Sequence, residues 1–206
     1  MDNIVELIGH YGGDESHALS AWTSTNRDLD EDKRSRMGKM LTMLAENGHH
    51  TPFEKSCLHF LVTSDIASHI HIIKHRIGVS VNAESARYKE LKEDKSYVPY
   101  DWPSDMQARF RNDVEELYKK YHSYLSELES RGVSRKRAKE SARFILPYSN
   151  QLTADVSFNF RSFMHFQGLR NKANAQDEIH IIAQQMLDLI KATGQFDLSL
   201  KAFGYT

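Results

Sequence analysis

Leu152-Thr153-Ala154-Asp155-Val156-Ser157-Phe158-Asn159 alternates apolar and polar side chains. Successive strand residues face opposite sides, so the stretch predicts a half-buried strand with Leu152, Ala154, Val156 and Phe158 inward. Helices are expected after it over 161–171 and 175–193, with a short one near 196–203. Working outward toward the N-terminus, Leu58, Phe60 and Val62 alternate with His59 and Leu61 and predict a buried strand over 57–64. Cys57 opens that strand and is expected to be an inert core thiol.

The remaining segments read mostly as helices. Residues 3–11 suggest a short strand and 14–22 a helix. Residues 30–47 form an amphipathic helix with Met37, Met40, Leu41 and Leu44 on one stripe and Gly48 as its C-cap. Thr51-Pro52-Phe53-Glu54 has the pattern of a new helix start, with Thr51 as N-cap, Pro52 at the first helical position and Glu54 closing a capping box. The segment 65–75 is helical by its Ile66, Ile70 and Ile73 face. A long helix is expected over 103–131, opened by Pro103, closed near Gly132 and buried along Phe110, Val114, Leu117, Tyr121, Tyr124, Leu125 and Leu128. Ser134 caps the next helix, whose run Arg135-Lys136-Arg137 with Lys139 is a solvated basic face or, less simply, a nucleic-acid contact. With no βαβ alternation, repeat or long linker, the expectation is a single α+β domain over 1–206, mostly helices around a small antiparallel or mixed sheet.

Composition narrows the function classes. The chain has 206 residues, 40% of them hydrophobic, with 27 basic and 28 acidic side chains. A chain of this length buries roughly 70% of the surface it exposes unfolded, enough for a sizeable core. Near-zero net charge argues against bulk electrostatic attraction to nucleic acid or an anionic membrane, so no stable nucleic-acid partner is expected. No apolar run approaches the roughly 18 residues a membrane span needs, and Asp2 and Glu6 stand where a signal peptide would be basic. One cysteine excludes an intrachain disulfide and fits a reducing, cytoplasmic setting.

Chemistry concentrates in Lys74-His75-Arg76-Ile77-Gly78-Val79-Ser80-Val81-Asn82-Ala83-Glu84-Ser85-Ala86-Arg87-Tyr88. Two cations and an imidazole precede a polar run that ends Ser-x-Arg-Tyr. Arg offers a fork of donors, Lys a compact charge and Ser a hydroxyl, which together can hold phosphates. A solvated basic helix end followed by a polar loop is the plainer reading. His71 and His75 have metal-ligand spacing, but Lys74 and Arg76 beside them would repel a cation, so no metal is expected. The chain has no P-loop, Gly-x-Gly-x-x-Gly, paired-Cys zinc spacing or nucleophile triad, which leaves chemistry to a bound cofactor.

Taken with Gly48-His49-His50-Thr51-Pro52-Phe53-Glu54 upstream and Arg161-Ser162-Phe163-Met164-His165-Phe166-Gln167-Gly168-Leu169-Arg170 and Asn174-Ala175-Gln176-Asp177-Glu178-Ile179 downstream, this stretch resembles the flavin-dependent thymidylate synthases. The resemblance runs from about residue 15 to 203. Departures mark a divergent member. Lys74 replaces the usual first Arg, and eight residues rather than seven separate Arg76 from Ser85. Ala83 follows Asn82 where an acidic residue is common, with Glu84 one place later. His71, His165 and Asn174 replace the more usual Gln, Asn and His.

The resemblance implies an enzyme that binds FAD, is reduced by NADPH and carries the one-carbon unit of 5,10-methylenetetrahydrofolate to dUMP, with no enzyme nucleophile. It implies a homotetramer whose sites are shared between subunits. By position, Arg170 matches the arginine that polarises the pyrimidine, and His49 is the strongest histidine candidate; both are carried as catalytic. Arg170's plainer alternative is a charge at the C-terminal end of its own helix. His71, Ser85, Arg87, Arg143, Leu169 and Arg170 match substrate contacts. His49, Thr51, Lys74, His75, Arg76, Asn159, Arg161 and His165 match cofactor contacts, with a purely structural role open for Thr51 and Glu54. Three classes stay open: this thymidylate synthase, a flavin- and folate-dependent methylase or hydroxymethylase of another pyrimidine nucleotide, and a non-enzymatic nucleotide- or nucleic-acid-binding protein. Bound flavin would separate the first two from the third.

Overall fold

The computed structural model describes residues 1–85 and 93–205. Its elements are β1 (Ile4–Tyr11), α1 (Asp14–Trp22), α2 (Glu31–Glu46), β2 (Cys57–Asp65), α3 (Ile66–Ile73), β3 (Val79–Ala83), α4 (Ser104–Ser130), α5 (Arg135–Ala142), β4 (Gln151–Phe158), α6 (Phe160–Arg170), α7 (Asp177–Ala192) and α8 (Asp197–Ala202). The fold is α+β as expected, mostly helical with a small antiparallel sheet in the order β1-β2-β4-β3. Chain contacts divide it into two compact units.

The first unit comprises Met1–Asn3, Thr63–Ile70 and Asn82–Ala154. Its helical part is α4 packed on α5 around Tyr121, Leu125, Ala138 and Ala142. The buried stripe of α4 is Val114, Tyr118, Tyr121 and Leu125. That corrects the expected stripe: Phe110, Leu117 and Leu128 are only half-buried, Tyr124 is exposed, and Tyr118 is buried with its hydroxyl donating to Lys95 O at 2.6 Å and Asn150 Oδ1 at 2.8 Å. Acceptors far along the chain satisfy the Tyr118 hydroxyl and permit its burial, a partnership that no local pattern in the helix shows. The run Arg135-Lys136-Arg137 lies on the short α5, capped by Ser134, with Arg135 paired to Glu129 at 2.7 Å.

The second unit comprises Ile4–Val62, His71–Val81 and Asp155–Thr206. Leu58, Phe60 and Val62 of β2 and Val156 and Phe158 of β4 are buried, as their alternation requires. Cys57 is exposed, which corrects the core-thiol reading. The reason is register: Cys57 falls on the side of His59 and Leu61, opposite the inward trio. Within this unit α7 packs on β1 and on α6, while α2 packs on α8. Asp30 caps α2 through Lys33 N, and the C-cap is Asn47, with Gly48 following at φ 72°.

Two further differences concern the motif segments. Thr51–Glu54 forms a single 3-10 turn rather than a helix, its N-cap is His50, and Glu54 makes an ion pair with Arg161 at 2.5 Å instead of closing a capping box. The polar run after Gly78 contains β3, whose five residues were too few for their alternation to stand out. Fully buried His17 organises the packing around α1. Ser199 Oγ spends its proton on Asp14 Oδ1 at 2.6 Å and therefore accepts from His17 Nδ1 at 2.9 Å, leaving His17 Nε2 to accept from Ser56 Oγ at 2.9 Å. Asp14 also accepts the Leu198 and Ser199 amides, capping α8 from the start of α1.

Candidate functional site

The second unit contains a cavity of about 830 Å3 built from three parts: the 74–79 segment, one stripe of α6, and His50 with Phe203. The 74–79 segment is pinned along the length of α6. At the helix start, Ser162 Oγ donates to Ile77 O at 2.6 Å and Asn159 N donates to Gly78 O at 2.9 Å. Asn159 Oδ1 meanwhile caps α6 by accepting Ser162 N at 2.9 Å. At the far end, Arg170 Nε donates to His75 Nε2 at 3.2 Å. Gly78 sits at φ 64°, and a Cβ there would run into the side chains of Asn159 and Ser162. Only glycine lets the chain turn this closely against the cap.

Charge in the cavity is of one sign. Lys74, Arg76 and Arg170 line it with no carboxylate partner among the described residues, whereas Arg161 is neutralised by Glu54. The apolar lining comes from Ile77, Val79, Met164, Leu169 and Phe203. A cavity of this volume with cations at its wall and apolar groups between them suits an anionic ligand with a flat apolar part. A dinucleotide flavin has that chemistry: a diphosphate for Lys and Arg, a ring system for the apolar surface. The residues present therefore fit such a cofactor.

His75 is buried, with its ring centroid 5.0 Å from Phe166 and 5.8 Å from His165. Burial, then the charges of Arg170, His165 and His71, lower its pKa from the ordinary imidazole range to about 4. The ring is neutral at physiological pH and serves Arg170 as an acceptor.

Of the residues expected at a site, Lys74, His75, Arg76, Arg161, His165, Leu169 and Arg170 line this one cavity. His49 and Thr51 are exposed and outside its lining, with His50 facing it in their place. Asn159 is also outside the lining and acts on it through the Gly78 turn. His71 is half-buried at the end of α3 and reaches the site through its field on His75. Ser85 and Arg143 belong to the first unit, where both are half-buried. Glu84, one place along from the expected acidic position, has its carboxylate accepting Thr153 N at 3.0 Å. Arg87 lies outside the described residues.

Met164, Gly168 and Ile77 line the cavity without having been expected there. A signal for the first two existed: 161, 164, 165, 168 and 169 follow the i, i+3, i+4, i+7, i+8 order of one helix face, and three of the five were already candidates. Ile77, 84% exposed between a basic and a glycine residue, is an apolar side chain with no core to enter. Phe203 carried no local signal.

Residues 6–193 match the family model described as thymidylate synthase complementing protein. A flavin-dependent thymidylate synthase of Pseudothermotoga lettingae is 32% identical over 200 residues, covering 91% of this chain and 85% of the relative. One of Streptomyces avermitilis is 30% identical over 213 residues, covering 90% and 85%. Among solved structures, a UMP/dUMP methylase, PolB from Streptomyces cacaoi, bound with 5-Br dUMP, matches with a TM-score of 0.79 at 26% identity over 98% of this chain and 95% of that one.

Proposed function

We propose that this chain, which belongs to the flavin-dependent thymidylate synthase family, methylates dUMP to dTMP using FAD, NADPH and 5,10-methylenetetrahydrofolate. The observation that carries the reading is a cavity where Lys74, Arg76 and Arg170 stand, among the described residues, without counter-charge beside an apolar wall. Lys74, Arg76 and the apolar wall would hold FAD, which would supply the redox chemistry linking NADPH and the folate's one-carbon unit to the pyrimidine, the balanced products being dTMP, tetrahydrofolate and NADP+.

The chain's own residues do the rest. Lys74 and Arg76 bind anionic oxygens, Arg76 as a two-pronged donor and Lys74 as a point charge. Arg170 is the substrate-facing catalytic group: its guanidinium stabilises negative charge as it develops on the ring, in the manner of an oxyanion hole. Leu169 and Met164 exclude water from the flat ligand, and His165 and Arg161 border it. Ser85, Arg87, Arg143 and His71 contribute nucleotide contacts, and His49, Thr51 and Asn159 the cofactor's surroundings. The described residues hold no helix long and apolar enough to cross a membrane. The working assembly is a homotetramer with sites shared between subunits, which sedimentation equilibrium tests through a mass four times the 23.8 kDa chain.

A second reading, the same chemistry on UMP or another pyrimidine nucleotide, is favoured by the likeness to the UMP/dUMP methylase. One experiment separates the two. Photoreduced protein is mixed anaerobically with methylenetetrahydrofolate and either dUMP or UMP, flavin absorbance is followed, and the nucleotide is weighed by mass spectrometry. Reoxidation with dTMP formation is expected. Methylation of UMP alone would replace the first reading by the second, and a protein that binds no flavin would overturn both.

A further inference from the structure

His75 and Arg170 share a bond that gives the histidine a task of its own. Arginine has five N–H donors and no acceptor, so the 3.2 Å contact between Arg170 Nε and His75 Nε2 requires an unprotonated Nε2 and a ring proton on Nδ1. Nε is the inner donor of the guanidinium. Once it is held, the plane is oriented and the four N–H groups on the two terminal nitrogens are left for a ligand. No carboxylate among the described residues competes for them.

The ring that does the holding is itself immobilised. His75 is 9% exposed, packed edge-on to Phe166, and its segment is tied to α6 by Ser162 and Asn159. The titratable and charged groups around it are Arg170 and His165 from α6, His71 from α3, and Lys74 and Arg76 beside it in the chain. All are basic, so they oppose a charge on His75 and keep the acceptor lone pair free.

We infer that His75 is a positioning residue for Arg170, an uncharged acceptor that sets the guanidinium plane toward the reacting pyrimidine. An aspartate or glutamate at this place would hold Arg170 more strongly but would spend the positive charge the reaction uses. A neutral imidazole holds it and leaves the charge intact. The inference rests on the assignment of Arg170 to the pyrimidine.

Two variants and one spectrum test it. His75→Leu removes the acceptor while keeping an apolar group against Phe166, and His75→Gln returns an acceptor oxygen near the position of Nε2. The expected result is a kcat about 10- to 100-fold lower for His75→Leu, the loss typical of a hydrogen bond to a charged group, with flavin content per chain and melting temperature close to native. His75→Gln should stand at least about fivefold above His75→Leu, as rescue by a replacement acceptor requires. Equal kcat for native and His75→Leu, loss of flavin in place of loss of kcat, or no recovery in His75→Gln overturns the inference. The 15N spectrum of histidine-labelled native protein at pH 7 needs no turnover and no variant that folds. A neutral Nδ1–H tautomer is expected for His75, and an Nε2–H tautomer or a charged ring overturns it. A native protein that shows this tautomer yet methylates no pyrimidine would defeat the proposed function while leaving the Arg170–His75 contact established.

Discussion

Arg170 carries the largest expected effect of any single side chain. Arg170→Ala should lower kcat by a factor of about 100 or more, the scale seen when a preorganised charge-stabilising donor is lost, with flavin absorbance retained. Arg170→Lys is not a conservative substitution here, because lysine has no inner N–H for His75 and no fork for the ligand; single-turnover kinetics should place it nearer to alanine than to arginine. Arg170 entered as a candidate through the resemblance of the Arg161–Arg170 segment to a known family, and it lines the cavity. Its partner was not, because 95 residues separate it from His75 and nothing local couples a histidine in one segment to an arginine in another. His50 teaches the same lesson at closer range: two adjacent histidines are equivalent in sequence, and only the hydrogen bond of His49 N to Leu44 O and the 3-10 turn beginning at Thr51 put His50 at the cavity.

Among the elements, α6 bears the site, and its start is the sensitive point. Asn159→Ala removes the cap on Ser162 N and should cost about 1 kcal/mol of stability, read by chemical denaturation. Asn159→Asp preserves the cap. If Asp restores stability but not flavin affinity, Asn159 touches the cofactor directly; recovery of both fits a purely structural cap. Gly78→Ala should be worse than loss of the cap. The left-handed backbone alone costs a residue with a Cβ about 1–2 kcal/mol, and the methyl group displaces the Asn159 and Ser162 side chains, so both the melting temperature and flavin content should fall. Strands and helices whose apolar pattern repeats, such as β2, β4, α2 and α7, were legible because burial on one face imposes a period. The Thr51–Glu54 turn was not, since its capping pattern is local while the Glu54 partner, Arg161, is 107 residues away.

At the scale of the whole molecule, folding should be pH-sensitive through buried imidazoles. Burial lowers the His17 pKa from 6.5 to about 4, so between these values the unfolded chain binds a proton that the folded chain refuses. Stability from this source is complete above pH 6.5 and is lost as pH falls toward 4, by up to about 3 kcal/mol at 1.36 kcal/mol per pH unit. His75 and His69, also shifted down by burial, act in the same direction. Urea titrations from pH 4 to 7 should show the unfolding free energy rising with pH, and His17→Gln should flatten the slope. The small sheet and the helical majority were legible from the sequence, whereas the division into two compact units was not, because it depends on which distant segments pack together. The cavity wall spans His50 to Phe203, and Phe203 packs edge-to-face on Phe53 at 4.9 Å and near His50 at 5.3 Å. A ribosome makes the chain from one end, so every other part of that wall leaves the exit tunnel before its last aromatic ring does. Chains ending ahead of Phe203 should therefore bind flavin more weakly than the full chain, because the last ring of the wall is missing.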